Sequence, residues 1–286
     1  MSRLCVKTAF LGLLLFSVGC QTFESRSFVK TLESEAMGQP MALSVYTPPN
    51  FSIDERLPVV VLLHGAGGDH LDFDRYELDL FFNQLYEENA LPRVIVLMPD
   101  GELGFWENWS DGSRRYRDWV MDEALPLVRA QFNAAQCPAN CHVVGVSMGG
   151  HGALRFAYYE QESFSSATVI SAPVFSHDAA RKQFGGLLGW LIPYERIWGD
   201  LNDADAVPRG ADPFVGWTED AGLRSKKLFV AWGTGDSDGI HKSNELFVQE
   251  LEASGLEFTN QVYQGDHKWK DWKHVIADAV RSQVAQ

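Results

Sequence analysis

A serine between two glycines is the first feature of this sequence that could do chemistry. The stretch "GVSMG" places Ser147 at the centre of a G-x-S-x-G pattern, after an apolar run and before a helical pattern. A strand that turns at once into a helix brings neighbouring chains so close that both flanking positions must lack side chains. Such a turn points the serine hydroxyl outward and aims the N–H of Met148 at the same space. The pattern therefore predicts that Ser147 is a nucleophile.

A nucleophilic serine needs a base, and the base needs a carboxylate to orient it. In folds that carry this turn, the three groups follow along the chain in the order serine, acid, histidine. Of the eight histidines, only His267, in "VYQGDHKWKDW", falls in a loop between a last strand and a last helix. The segment "FVAWGTGDSDG", which covers the preceding strand, offers Asp236 and Asp238. Asp236 comes sooner after the strand and is the preferred acid, with Asp238 as the alternative.

The negative oxygen that forms when a serine attacks a carbonyl needs N–H donors, and one such donor lowers the barrier by about 3 kcal/mol. In "LLHGAGGD" a strand ends in small residues, so a backbone amide of this loop can approach the site. We predict that the N–H groups of Ala66 and Met148 form this pair, with Gly65 and Gly67 as alternatives to Ala66. His64 precedes the loop and is expected to be structural.

The elements that must position these groups alternate between strand and helix. Short, nearly continuous apolar runs rich in Val, Ile and Leu are typical of parallel strands buried on both faces, and helical patterns lie between them. Residues 28–50 instead alternate apolar and polar side chains, as antiparallel strands with one wet face do. Residues 28–286 are therefore predicted to form one doubly wound α/β domain, with a mostly parallel sheet and antiparallel N-terminal strands.

One long segment does not follow this alternation. Residues 175–217 are rich in Gly and Trp and have no clean period. An irregular insertion of this length in an α/β domain predicts a functional element, here a cap-like cover over a site. Several tryptophans could stack on sugars or on ring-bearing acyl groups, although packing is the expected role for more than half of them. The candidates are Trp106, Trp109, Trp190, Trp198 and Trp217.

The N-terminal residues resemble a bacterial lipoprotein signal. Arg3 and Lys7 precede the apolar run "TAFLGLLLFSV", which is too short to span a bilayer as a mature helix, and Gly19 and Cys20 follow it. Residues 1–19 are then a signal peptide, Cys20 becomes the acylated N-terminus, and residues 20–27 are a tether. The predicted protein is an exported lipoprotein, periplasmic or on the cell surface and anchored to the membrane. An ordinary cleaved secretory signal is the alternative.

Charge and cysteine content restrict the partners further. Removing residues 1–19 takes away two basic and no acidic side chains, so the net charge of −14 becomes −16. Such a surface repels phosphate backbones, which argues against nucleic acid as a partner, and it leaves membrane attachment to the lipid. Cys137 and Cys141 remain in "QCPANCH", and export to an oxidising compartment favours a disulfide between them. A metal site would need further Cys or His ligands, and only His142 lies beside these two cysteines, so the disulfide is preferred.

With these residues placed, the chain resembles the tributyrin esterase and S-formylglutathione hydrolase branch of the α/β hydrolases. This branch also includes feruloyl esterases and mycolyl transferases. The likeness runs from about residue 57 to residue 280 and rests on "LLHGAGG", "MPDGELGFWENWSDGSRRYRDWVMDEALP", "GVSMGGHGA", "WGDLNDADA", "WGTGD" and "GDHKWKDW". It implies a carboxylesterase fold with Ser147, Asp236 and His267 as the catalytic triad. The lipid anchor, the Cys137–Cys141 loop and the Trp-rich insertion depart from this pattern.

The resulting hypothesis is a serine carboxylesterase of the cell envelope that works through an acyl-enzyme on Ser147. Its expected substrates are short-chain acyl esters, or acetyl or feruloyl groups on carbohydrates. An acyltransferase on the same scaffold is one alternative, and a non-catalytic glycan-binding surface lipoprotein is another. No cofactor or metal is expected, because "GDLNDADA" lacks the Gly and the Glu that complete a calcium loop. The oligomeric state is left open.

Overall fold

The central element of the fold is one sheet of eight strands. A computed structural model describes residues 26–176, 178–179, 192–200, 203 and 206–284. Within them the strand order is β1-β2-β4-β3-β5-β6-β7-β8. The strands are β1 (Arg26–Ser34), β2 (Gln39–Thr47), β3 (Val59–Leu63), β4 (Ile95–Pro99), β5 (Cys141–Val146), β6 (Ser166–Ile170), β7 (Lys227–Gly233) and β8 (Thr259–Tyr263).

The sheet is mixed in the way that the sequence pattern predicts. β2 pairs antiparallel with both β1 and β4, whereas every other neighbouring pair is parallel. All five residues of β3 are buried, because helices cover both faces of the central strands. Side chains alternate between the two faces along such a strand, so Val61 packs into one core cluster and Leu62 into the other. The predicted α/β architecture, a mostly parallel sheet with antiparallel N-terminal strands, is thereby confirmed.

Helices lie on both faces of this sheet. They are α1 (Asp72–Arg75), α2 (Leu78–Glu87), α3 (Tyr116–Asp118), α4 (Leu125–Gln131), α5 (Met148–Tyr159), α6 (Tyr194–Trp198), α7 (Pro213–Glu219), α8 (Ala221–Arg224), α9 (Asp238–Ala253) and α10 (Trp269–Gln283). A π-helical turn, Trp119–Ala124, joins α3 to α4, and short 3-10 turns lie at Ile53–Glu55 and Arg209–Ala211. Helices α2 and α10 pack on one face, and α4, α5 and α9 pack on the other.

Helix α10 shows how sequence periodicity determines packing. Apolar residues recur along it at the 3.6-residue period, and they are buried against the sheet. They are Trp272, Val275, Ile276, Ala279 and Val280. This helix begins two residues after His267, so its packing determines where that side chain can lie.

The described part of the predicted insertion contains α6, the 3-10 turn Arg209–Ala211 and α7. Trp198 and Trp217 are buried, as is Trp106, and Trp109 is half-buried, so packing is the main role of these side chains. Trp190 lies outside the described residues, as do the predicted signal peptide, Cys20 and most of the tether. None of the helices in the described ranges is long and apolar enough to cross a membrane.

The two remaining cysteines are joined. Cys137 and Cys141 form a disulfide with their Cα atoms 5.1 Å apart. Cys141 is the first residue of β5, the strand that ends directly before Ser147. The bridge therefore closes the turn that leads into the strand of the predicted nucleophile.

Candidate active site

Ser147 lies on a strained turn between β5 and α5. Its backbone has φ 53° and ψ −121°, a conformation that side-chain-bearing residues rarely adopt. A Cβ added to Gly145 would collide with the carbonyl group of Gly149, and one added to Gly149 would collide with the carbonyl group of Leu63. Both flanking glycines are thus required by close backbone approach, as the spacing predicts. The turn leaves the Ser147 side chain facing a cleft.

The structure places His267 beside this serine. His267 follows β8 in a loop, and its Nε2 lies 2.9 Å from the Oγ of Ser147. Its Nδ1 lies 2.6 Å from the Oδ1 of Asp236. The imidazole is 37% exposed, so it can also reach a molecule in the cleft. The three groups form one hydrogen-bonded line from a buried carboxylate to a solvent-facing hydroxyl.

Asp236 is the carboxylate at the buried end of this line. Its Oδ2 accepts hydrogen bonds of 2.7 Å from the N–H of Gly233 and from the hydroxyl of Ser171. Burial acts to raise the pKa of Asp236, but the hydrogen bonds from His267, Ser171 and Gly233 outweigh it and hold the pKa below its ordinary value. Asp238, the alternative acid, is the exposed first residue of α9. The structure thus brings Asp236 to the histidine and leaves Asp238 at a helix terminus.

Two backbone N–H groups are available near the serine hydroxyl. Met148 is the first residue of α5, whose N-terminal N–H groups have no intrahelical acceptor and carry the positive end of the helix dipole. Ala66 lines the same cleft as Ser147, and a Cβ added to Gly65 would lie 3.1 Å from the Cβ of Ser147. Among the described residues, no backbone acceptor is bonded to the N–H of Ala66 or of Met148. Both N–H groups are therefore candidate oxyanion donors, and that role stays a prediction.

His64 holds the loop that carries Ala66. It is fully buried, its Nδ1 lies 2.8 Å from the carbonyl oxygen of Gly65, and its Nε2 accepts from the N–H of Gly101 at 3.0 Å. The indole of Trp106 donates to the carbonyl oxygen of His64 at 3.2 Å. Both ring nitrogens are therefore engaged in tying the loop to the segment after β4. His64 is structural, as the sequence analysis expects.

A cleft with a volume of about 410 Å³ opens in front of the serine. Its lining comes from the glycine-rich loop, from the region of α1 and from the start of α10, and includes Ser147 and His267. Tyr76 and Trp269 line one side as a stacked pair, with ring centroids 5.6 Å apart and an angle of 17° between the planes. This pair was not among the predicted site residues. The motif "GDHKWKDW" contained a signal for Trp269, because it follows the base by two positions.

A buried ion pair supports the helix that follows the serine. The guanidinium of Arg155, on α5, is bonded to the carboxylate of Glu107, and both side chains are almost fully buried. Arg155 also donates to the carbonyl oxygen of Ala211 at 2.6 Å. It thereby joins α5 to the described part of the insertion. This pair was not predicted from the sequence, because the two residues lie 48 positions apart and Arg155 occurs in no motif.

The chain is similar to several known proteins. The family model described as "Putative esterase" matches residues 34–282. An acetyl esterase of Caldicellulosiruptor saccharolyticus is 25% identical over 79% of this chain and 82% of its own length. An esterase of Mycobacterium tuberculosis is 28% identical over 86% of this chain, which spans 57% of that protein. A substrate-bound fluorophosphonate-binding serine hydrolase of Staphylococcus aureus superposes with a TM-score of 0.75 at 23% identity, over 92% of this chain and all of its own.

Proposed function

The chain belongs to this esterase family and is a serine esterase, and we propose that it removes short acyl groups from esters through an acyl-enzyme on Ser147. The observation that carries the proposal is the hydrogen-bonded line from Ser147 through His267 to Asp236, open to a cleft of about 410 Å³. A hydroxyl, a base and an orienting carboxylate within hydrogen-bond reach are the parts that nucleophilic acyl transfer needs.

In the first half of the proposed reaction, the Oγ of Ser147 attacks the ester carbonyl carbon while the Nε2 of His267 takes the hydroxyl proton. The carbonyl π electrons move to the oxygen, which accepts hydrogen bonds from the N–H groups of Met148 and Ala66. As the tetrahedral intermediate collapses, His267 passes its proton to the leaving alcohol. The acyl group remains on Ser147 as an ester.

In the second half, water replaces the alcohol. The Nε2 of His267 removes a proton from the water, whose oxygen attacks the acyl carbon, and the proton then returns to the Oγ of Ser147 as the acid departs. Asp236 stays ionised throughout and stabilises the imidazolium. The hydrogen bonds that lower its pKa support this role, because they keep the carboxylate charged at neutral and mildly acidic pH.

The alcohol part of the proposed substrate is a carbohydrate or another ring-bearing alcohol, and the acyl part is short or is a feruloyl group. Two observations support this class. The cleft volume is within the range of small-molecule sites, and Tyr76, which is exposed and stacks on the buried Trp269, offers an aromatic ring along its side. In addition, a relative that covers most of this chain is named an acetyl esterase.

The chemical step is tested by the purified protein acting on p-nitrophenyl esters of increasing acyl length and on acetylated or feruloylated glycosides. We expect the highest kcat/KM with the short acyl chains and release of free acid. The same reactions run with added glycerol or sugar measure acyl transfer against hydrolysis. Transfer products in excess of free acid would replace the esterase assignment by an acyltransferase.

A single side chain tests the carbohydrate site. Tyr76 is 42% exposed, so Tyr76→Ala removes the exposed ring of the stacked pair. We expect KM for an acetylated glycoside to rise about fivefold to tenfold, the equivalent of about 1 kcal/mol of lost stacking, with kcat unchanged. Tyr76→Phe keeps the ring and should behave as the wild type. Equal losses on p-nitrophenyl acetate and on the glycoside would contradict a role in alcohol recognition.

We also propose that Cys20 is lipidated and anchors the protein to the membrane. The support is the sequence alone: a basic start, a short apolar run and the pair "GC". In cells, Cys20→Ser should abolish incorporation of an alkynyl fatty acid and release the protein from the membrane fraction. Cys5→Ser, in the segment that would be removed, is the matched control and should change neither. Cleavage elsewhere without label would indicate an ordinary secretory signal.

A further inference from the structure

The two oxygens of Asp236 have different environments. Oδ1 lies against the Nδ1 of His267, whereas Oδ2 accepts from Gly233 and Ser171. The Gly233 bond comes from the backbone and is present in any variant of the neighbouring side chains. The hydroxyl of Ser171 is the side-chain donor that distinguishes Oδ2, and it is fully buried.

The directions of the hydrogen bonds around Ser171 follow from counting protons. Its Oγ has three polar neighbours: Asp236 Oδ2 at 2.7 Å, Tyr263 OH at 2.7 Å and Trp272 Nε1 at 3.2 Å. A carboxylate can only accept and an indole N–H can only donate. The one hydrogen of Ser171 therefore goes to Asp236, and the phenol of Tyr263 must donate to Ser171. Burial raises the pKa of Tyr263, so its hydrogen stays in place.

The position of Ser171 in the sheet explains why it reaches the acid. It directly follows β6, which lies between β5, the strand of Ser147, and β7, the strand before Asp236. Its backbone has φ 48°, and its N–H donates to the carbonyl oxygen of Ala231 at 2.7 Å. A non-glycine residue in this region is strained, and such strain clusters at active sites.

We propose that Ser171, held by Tyr263 and Trp272, is a positioning residue that orients the Asp236 carboxylate toward His267. The inference rests on the proposed function and deepens it. With both donors on Oδ2, the carboxylate presents Oδ1 alone to the histidine. Trp272 also packs edge-on against the His267 ring, with centroids 4.8 Å apart. The same side chain therefore contacts both the base, His267, and Ser171, which bonds to the acid.

The test is Ser171→Ala, assayed on p-nitrophenyl acetate across pH. We expect kcat to fall about 10- to 100-fold with KM within twofold, because a hydrogen bond to a charged group is lost in a step that needs that charge oriented. Loss of the donor also raises the pKa of Asp236, so the acid limb of kcat/KM moves to higher pH. Tyr263→Phe, which removes only the donor to Ser171, should give a smaller change in the same direction.

Ser166→Ala is the matched control. Ser166 is the first residue of β6, the strand that Ser171 follows; it is equally buried, and it donates to the Oε1 of Gln283 at 3.0 Å, remote from the triad. Both alanine variants lose buried hydrogen bonds, three at Ser171 and two at Ser166, whose Oγ also lies 2.8 Å from the Nδ1 of His142, so both should lower the thermal stability. Only Ser171→Ala should change kcat and the pH profile.

A double-mutant cycle with Asp236→Asn separates positioning from general loss of structure. If Ser171 acts through the carboxylate, Ser171→Ala should change the residual activity of Asp236→Asn less than twofold. Multiplicative losses, or kinetics of Ser171→Ala equal to those of Ser166→Ala, would overturn the proposal. Ser147→Ala is the separate arm for the function: retained activity there removes the esterase mechanism, whereas its loss beside an unaffected Ser171→Ala removes only the positioning role.

Discussion

Replacing Ser147 by alanine is expected to lower kcat for p-nitrophenyl acetate about a million-fold. The reason is that His267 and Asp236 act only through the serine hydroxyl, so that losing the nucleophile costs as much as losing the whole triad. The activity that remains should reflect the cleft and the N–H groups of Met148 and Ala66, which can still bind an attacked carbonyl. Steady-state assays with tight limits on contaminating esterase would measure the loss.

A fluorophosphonate probe gives a second measurement of the same variant. It should label Ser147 in the wild type and leave Ser147→Ala unlabelled. Ser225→Ala, which changes an exposed serine after α8, is the control and should keep both activity and labelling. Wild-type-like turnover by Ser147→Ala, or failure of the folded wild-type protein to react with the probe, would contradict the mechanism. The second result would return the hypothesis of a binding protein on a hydrolase scaffold.

Backbone strain makes a further distinction possible at this position. Ser147 has φ 53°, a value that glycine adopts without strain and other residues do not. Ser147→Gly should therefore be inactive and yet more stable than Ser147→Ala, by about 1–3 kcal/mol in the free energy of unfolding. Chemical denaturation of the two variants measures this difference. A higher stability of Ser147→Gly than of Ser147→Ala is the result expected if the backbone at Ser147 is strained.

The sequence was sufficient to predict the sheet, because the composition of the central strands shows that both of their faces are buried. The run "VVVLL" of β3 is apolar at every position, which only a strand covered on both faces requires. The turn at Ser147 was equally readable, since Gly145 and Gly149 are demanded by backbone contacts within a few residues of the serine. Local geometry of this kind is encoded locally.

The features that the sequence did not reveal depend on contacts between distant segments. Tyr76 and Trp269 stack only because α10 packs near α1, and nothing in either stretch marks the other. In the sequence, Ser171 is only a polar residue at the end of a strand, and its hydrogen bond to Asp236 joins residues 65 positions apart. Trp106, Trp198 and Trp217 show a second limit. They are buried, and the sequence does not distinguish a tryptophan that packs in the core from one that lines a binding site.

The choice between two neighbouring acids leads to the second large effect. Asp236→Asn is expected to lower kcat/KM about 10⁴-fold, the loss that follows when a triad histidine is held in the wrong tautomer. The surroundings of Oδ2 give the physical reason. Gly233 and Ser171 both donate there, so the asparagine must place its carbonyl oxygen on that side and turn its NH₂ group toward His267.

An amide that donates to Nδ1 forces the proton of His267 onto Nε2, the atom that faces Ser147 at 2.9 Å. A protonated Nε2 cannot accept the serine proton, so the base is lost although its position is kept. Asp238→Asn is the matched control: the residue is exposed at the start of α9, and losing its charge there costs at most about 1 kcal/mol of helix-dipole stabilisation. Its kcat/KM should stay within twofold of the wild type. If Asp238→Asn instead lost the activity and Asp236→Asn kept it, the buried line of hydrogen bonds would not be the catalytic one.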